Sequence, residues 1–478
     1  MTGSEICTTV ISTVKERIHS DEFREKYRIG NSFTRIRKLT MGIVMMFLLC
    51  SKKKSLPNEI DDFLNSFGQA ITKLIGKPVV SFTKQAISKA RKGIHLDAFY
   101  WLLDVSVSTF FKCEPSYDLW HGLHLFAIDG TDVQLPMVRQ CVKTFGSQRL
   151  RNNSEFPFGK GSYLYSVSTR LVVDALLETS KYSERELAMR HMDRFRKLDI
   201  SAKSVVLMDR GYYSRELCEF LSNSDLFYVF RLKNNLKFLK AFKTSKKRTV
   251  VIDLNDNLDT DEKLLVRILR FRLKTGEYEY LATNLFDRKY TIEVLKELYF
   301  QRWPIETKIK QVKSRFQLEN FSGYSEEAID QDFLIAVFYS NLLEILRSEV
   351  DKQISDILAT EDYDRKYQYA AGEGILASRL KAYLPIILSG SCGIEQMVKK
   401  IISCAVMRSN WTQVVPGRHC ARCVKQPELN HPARRTDLRV GWLFFFSGFY
   451  LLRRLQRLLV PCLGLLSVCI AFYLYWFF

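Results

Sequence analysis

The spacing of apolar residues changes character twice along the chain. Through residues 1–115 apolar side chains recur at helical intervals, as in SLPNEIDDFLNSF (Ser55–Phe67), and the region reads as mostly helical. Within it Met41–Cys50 (MGIVMMFLLC) is apolar on every side but too short to cross a bilayer, which predicts a buried helix. Gly76–Pro78 breaks the pattern. Beyond it Ser81 or Thr83 can cap a helix displaying Lys84, Lys89, Arg91 and Lys92. That arrangement suits a helix-turn-helix with its second helix against DNA, or equally a generic basic surface helix.

From His121 the period becomes that of strands. LHLFAIDGTDVQLP predicts a buried strand that delivers Asp129 at its end. Residues 137–160 hold Arg139, Lys143, Arg149, Arg151 and Lys160 among Asn, Ser and Gly, which reads as an exposed basic loop. YLYSVSTRLVVDALLETS alternates well enough for one or two further strands. Val205–Met208 then repeats the first signature, with Asp209 at its end and Ser214 capping a helix that carries Leu217, Phe220 and Leu221. Four more strand-like runs follow: LFYVFRLK, RTVVIDL, KLLVRILRFRL and YEYLATNL, the last two separated by a turn at Gly276. This interval, about 225–287, reads as a β-rich insertion before a helix that starts near Thr291. Amphipathic helix resumes over residues 327–385, and 386–440 is a basic region broken by Pro416, Pro427 and Pro432.

Next to the strand-end aspartates, the stretch Tyr299–Lys313 (YFQRWPIETKIKQVK) supplies complementary chemistry. Tyr299, Arg302, Glu306 and Lys313 fall on one narrow stripe at helical spacing. Pro304 inside that stretch predicts that one helix ends near Arg302–Trp303 and another starts with proline in its first turn. Two aspartates and a glutamate form an all-oxygen set suited to hard divalent cations, chiefly Mg²⁺. In a two-metal arrangement such a set serves in-line phosphoryl displacement without a catalytic Ser–His pair.

Charge agrees with a polyanionic partner. The 478 residues carry 72 Lys+Arg against 52 Asp+Glu, a net +20, which favours nucleic acid first and an acidic membrane surface second. The length predicts two to four domains. Eleven scattered cysteines show no disulfide framework, and the first residues lack an apolar signal core, so a reducing, cytoplasmic setting is expected. Cys420 and Cys423 form a CxxC near His419 and His431, but zinc would need a second well-spaced ligand pair. No Walker-type or dinucleotide-binding fingerprint is present.

The ordered blocks resemble the DDE transposases of the IS-four family of bacterial insertion sequences. The Y-x2-R-x3-E-x6-K signature falls on Tyr299, Arg302, Glu306 and Lys313, the first catalytic block on Ile128–Thr131 with Leu135–Pro136, and the second (DRGY) on Asp209–Tyr212. The likeness covers residues 25–430. It implies an α/β fold whose RNase H-like catalytic domain (116–385), a mixed sheet flanked by helices, is interrupted by the β-rich insertion and follows a helical DNA-binding region (1–115). It further implies that Asp129, Asp209 and Glu306 bind two Mg²⁺ ions, with Mn²⁺ able to substitute. Tyr299, Arg302 and Lys313 would contact phosphates of the element's terminus, with Lys84, Lys89, Arg91 and Lys92 helping to capture it. The implied activity is cut-and-paste transposition by a homodimer on double-stranded DNA, at terminal inverted repeats and target, in a bacterial nucleoid. The alternative is a non-catalytic, domesticated DNA-binding descendant.

The departure is the apolar tail, 441–478. Leu458–Phe478 holds 21 residues without a formal charge after Arg453, Arg454 and Arg457, long enough for a membrane span. An accidental extension of the reading frame is the preferred reading, a membrane anchor the other.

Overall fold

Helical periodicity at the start of the chain resolves into six helices: α1 (Gly3–Arg17), α2 (Asp21–Tyr27), α3 (Met41–Leu49), α4 (Leu56–Ile75), α5 (Lys84–Arg91) and α6 (Asp97–Cys113). Thr2, Ser20, Thr40 and Thr83 each cap a helix by accepting from the backbone N–H three residues on. Every residue of α3 is buried, as its uniform apolarity predicts. The connection between α4 and α5, residues 76–83, is longer than the three or four residues of a helix-turn-helix. The computed structural model describes residues 1–414 except 36, 52–53, 77, 79–80, 114–117, 150–154, 199–202, 257–260, 274, 362–364 and 391. Arg151, the CxxC pair and the apolar tail lie outside the described residues. Among the described residues no helix is long and apolar enough to cross a membrane.

The alternating segments become strands. In order they are β1 (His124–Gln134), α7 (Arg139–Phe145), β2 (Gln148–Arg149), β3 (Glu155–Phe156), β4 (Phe158–Ser166), β5 (Val172–Glu178), α8 (Glu184–Phe195), β6 (Ser204–Met208) and α9 (Arg215–Ser222). Then come β7 (Phe227–Arg231), α10 (Leu239–Thr244), β8 (Thr249–Asp253), β9 (Leu265–Arg272) and β10 (Tyr278–Thr283). Eight of these form one mixed sheet in the order β5-β4-β1-β6-β7-β10-β9-β8. Neighbours β1, β6 and β7 are parallel, and the flanking pairs are antiparallel.

The interval 225–287, expected as a β-rich insertion, holds the four expected strands, and these extend the main sheet beyond β6. The basic stretch expected as an exposed loop contains α7, because Cys141 and Phe145 on one side of it are buried while Arg139 stays exposed.

Side-chain alternation divides the sheet between two cores. Leu125, Ala127, Val205, Leu207 and Val229 pack on one face with the N-terminal helices. Phe126, Ile128, Val206, Met208, Tyr228 and Phe230 pack on the other with α8, α9 and α10. The first face also receives α11 (Ile292–Phe300), α12 (Pro304–Arg315) and the 34-residue α13 (Glu326–Ala359). The remaining elements are β11 (Gln368–Ala371), α14 (Glu373–Ser389), α15 (Ile394–Val406) and β12 (Trp411–Val414). Two buried ion pairs tie elements to α13: Arg91–Asp332 at 3.0 Å from α5, and Lys308–Glu344 at 3.3 Å from α12. The N-terminal helices thus share a core with the sheet and are not a separate module.

Candidate active site

Parity and register bring the two aspartates together. The last parallel pair between β1 and β6 is Ile128 with Met208, so Asp129 and Asp209 are the next residue on each strand. Adjacent strands lie roughly 4.8 Å apart, which makes these carboxylates neighbours. Both follow the odd-numbered positions Ala127 and Leu207, so they face the side of the sheet that carries α11 and α12. Asp209 ends its strand, as expected. Asp129 does not: β1 continues to Gln134, pairing with β4 alone.

The helical stripe arrives from above. α11 starts after its cap Thr291, and α12 begins at Pro304, so the proline sits in a first turn as predicted. In the turn between them Arg302 N–H bonds to Tyr299 O at 3.1 Å and Glu306 N–H to Trp303 O at 3.1 Å. This break aims three side chains at the strand ends. Arg302 donates to Asp129 Oδ2 at 2.9 Å and to Glu306 Oε1 at 3.1 Å, and the Tyr299 hydroxyl donates to Asp209 Oδ1 at 3.2 Å. One guanidinium therefore bridges two of the carboxylates, which brings Asp129 and Glu306 within the span of a single side chain. Lys313, two turns along α12, donates to the Asp132 carbonyl and pairs with Glu319 at 3.2 Å.

Burial sets the electrostatics. Arg302 is 8% exposed, against 22% for Asp129 and 27% for Glu306. Burial raises the Asp129 pKa above the ordinary carboxylate value; Arg302 and the Gly130 N–H pull it back without cancelling the shift. Burial works against the Arg302 cation, yet Tyr299, Asp129 and Asp209 outweigh it and hold the guanidinium charged. The Tyr299 phenol is pushed up to about 12, by burial first and then by the charge of Asp209. Among the described residues, no three carboxylate, imidazole or thiol groups stand close enough to share one ion. Asp129 and Glu306 are linked instead through Arg302. The donor set still fits hard divalent cations, being all oxygen, and a positive group already stands between two of its members.

Sequence reasoning missed Arg231. At the end of β7, the next parallel strand, its guanidinium lies 4.0 Å from Asp209 Oδ1 and bonds to Glu279. Its signal was the same as that of the aspartates, a charged residue closing an apolar run.

The four N-terminal cations separate. Lys84, Lys89 and Lys92 are exposed on or beside α5. Arg91 is not available to DNA, and that expectation is corrected. It is 5% exposed and donates to Gln331, Ser322, Asp332 and the Ala328 carbonyl. Lys89 instead lines a cleft of about 1020 Å³ with Arg35, Arg37 and Lys38, and among the described residues no acidic one lines it.

Residues 120–342 match the family model described as Transposase DDE domain, a span that includes Asp129, Asp209, Tyr299, Arg302, Glu306 and Lys313. The chain is 24% identical over 174 residues to a probable transposase for insertion sequence element IS5377 of Geobacillus stearothermophilus, covering 35% of this chain and 46% of the relative. It is 25% identical over 136 residues to the putative transposase InsZ of Escherichia coli (strain K12), covering 28% and 44%. The chain thus spans about half the length of these curated relatives. A solved piggyBac transposase synaptic complex with hairpin DNA is similar at a TM-score of 0.42 and 10% identity, over 86% of this chain and 87% of that one.

Proposed function

We propose, for a chain whose residues 120–342 match a transposase DDE domain, that it cleaves DNA at the terminal inverted repeats of an insertion sequence and joins the ends to a target. The observation that carries this reading is the convergence of Asp129, Asp209 and Glu306 around Arg302 and Tyr299. The Tyr299–Lys313 spacing supports a place in the IS-four family, and the mixed sheet with helices on both faces supports an RNase H-like domain.

Asp129, Asp209 and Glu306 are the residues that would hold divalent metal. When bound, Mg²⁺ supplies activation of a water or a DNA 3′-hydroxyl and stabilises the departing oxygen. The chain's own residues orient that set. Arg302 holds Asp129 and Glu306 facing one another, and Tyr299 fixes the rotation of Asp209 through its hydroxyl. Arg302 is thereby a positioning residue, occupied with carboxylates before it could reach a phosphate. Lys313, 25% exposed, is the member of the stripe better placed to meet the DNA backbone. The Arg35–Lys89 cleft supports capture of the DNA terminus, in a protein dimer that pairs two ends.

The test is a binding-versus-cleavage comparison on a duplex from the DNA that borders this reading frame. Glu306→Gln should leave the dissociation constant within about threefold while removing nicking, since phosphate contacts elsewhere supply most affinity. Binding without nicking by the unmodified chain, in Mg²⁺ or Mn²⁺, would move it to the non-catalytic class.

A further inference from the structure

Beside the catalytic strand ends lies a second concentration of charge that the reaction above does not use. The connections after β6 and β7 leave the same edge of the sheet and enclose a pocket of about 330 Å³. Arg210 and Tyr213 come from the first connection, Lys233, Asn235 and Lys237 from the second, and Arg185 from the first turn of α8. Four cations line this space, and among the described residues no carboxylate lines it with them. Like charges confined together repel, and an anion relieves them. Elsewhere on the surface exposed cations are neutralised, as in Arg248–Glu293 at 2.8 Å and Lys399–Glu395 at 2.6 Å. Among the described residues Lys233 and Lys237 enter no ion pair, while Arg185 acts on the Glu216 carboxylate and Arg210 on that of Asp209.

The pocket is built and correctly sited for one kind of anion. Tyr213 forms a wall, its ring centroid 5.9 Å from that of Phe230 and 6.0 Å from that of Phe238. Arg210 directly follows Asp209, with its Nε 4.0 Å from the Asp209 carboxylate. An anion held here is therefore covalently continuous with one reacting at Asp209 if both belong to a chain of closely spaced phosphates. In a DNA strand the charges recur about every 3.4 Å along the axis. We propose that Arg185, Arg210, Lys233 and Lys237, with Tyr213 and Asn235, hold a backbone phosphate of the same DNA strand, adjacent to the one cleaved. The size admits a phosphate with its sugar and not a duplex, so the contact is to one strand. This inference rests on the reading of the chain as a DNA transposase.

The experiment is amine acetylation of the full chain, followed by mass spectrometry, with and without a 30-base-pair duplex, together with the salt dependence of binding. DNA should slow labelling of Lys233 and Lys237 by about fivefold or more, and inorganic phosphate at the same phosphate concentration should not. Lys233→Ala/Lys237→Ala should lower the slope of log affinity against log salt by about 1 to 2. Both lysines are exposed, so an unchanged melting curve reports a folded variant. If DNA protects Lys89 or Lys313 and leaves Lys233 and Lys237 reactive, this pocket is not on the DNA path, while the transposase reading stands. Equal protection by inorganic phosphate makes it a free-phosphate site and removes the DNA assignment. No protection at any lysine, with no binding, overturns both.

Discussion

At the scale of single residues the account turns on Arg302. Its guanidinium lies between Asp129 and Glu306, so removing it leaves two half-buried carboxylates without their cation. Arg302→Ala should cut cleavage by about a hundredfold or more while changing DNA affinity by less than about threefold. It should also tighten Mn²⁺ binding measured by calorimetry, because the competing positive charge is gone. Arg302→Lys should recover little, since one ammonium cannot bridge both partners as the planar fork does. The pH profile gives a further check. Burial already raises the Asp129 pKa and Arg302 lowers it, so in Arg302→Ala the acid limb of the rate profile should move to higher pH. An acid limb that stays in place would show that Arg302 does not tune Asp129. The carboxylates were legible in the sequence because each closes an apolar run or opens a helix. The engagement of Arg302 was not, since a helical stripe gives spacing but not the partner across the fold.

At the scale of elements, α5 shows what amphipathic spacing can and cannot tell. Arg91 follows Ile87 by four residues, so the two share the buried face, while Lys89 and Lys92 point away from it and Lys84, on the same side, stays exposed at the start of the helix. That signal was present in the sequence; what could not be read was the acceptor set on α13 and in the loop before it. Arg91→Ala should destabilise by about 3–5 kcal/mol in denaturant titration, because the buried Asp332 carboxylate loses its cation and keeps hydrogen bonds such as those from Ser322, whereas Lys89→Ala should be near neutral. Equal stability of the two variants would contradict the placement of α5. A pH signature belongs to α13. Asp330 there is held up to about 8, by burial first and then by Glu326, Glu178 and Glu327. Its contribution to stability is complete below the unfolded carboxylate pKa and is lost as pH rises towards about 8. Asp330→Asn should therefore raise the Tm by a few degrees at about pH 9 and leave it unchanged at about pH 3. The strands after Asp209 were legible from alternation, but their joining to the main sheet was not, because strand order is set by pairing between distant segments.

For the whole molecule the net charge of +20 and the two cationic pockets predict steep salt dependence. Affinity for a duplex should fall by about 10³ or more between roughly 50 and 200 mM salt if six or more phosphates are contacted. The apolar tail belongs to this scale as well. A chain ending at Arg439, before the apolar run, should be easier to keep in solution and at least as active, as every residue assigned a catalytic role precedes it. Carbonate-resistant, active full-length protein would instead support an anchor. The proposal that Asp129, Asp209 and Glu306 serve metal-dependent DNA cleavage is checked by cleavage of the bordering DNA by the wild type and by Asp129→Asn. The expected result is Mg²⁺-dependent strand cleavage by the wild type and none by Asp129→Asn, at comparable binding. Undiminished cleavage by Asp129→Asn would contradict it.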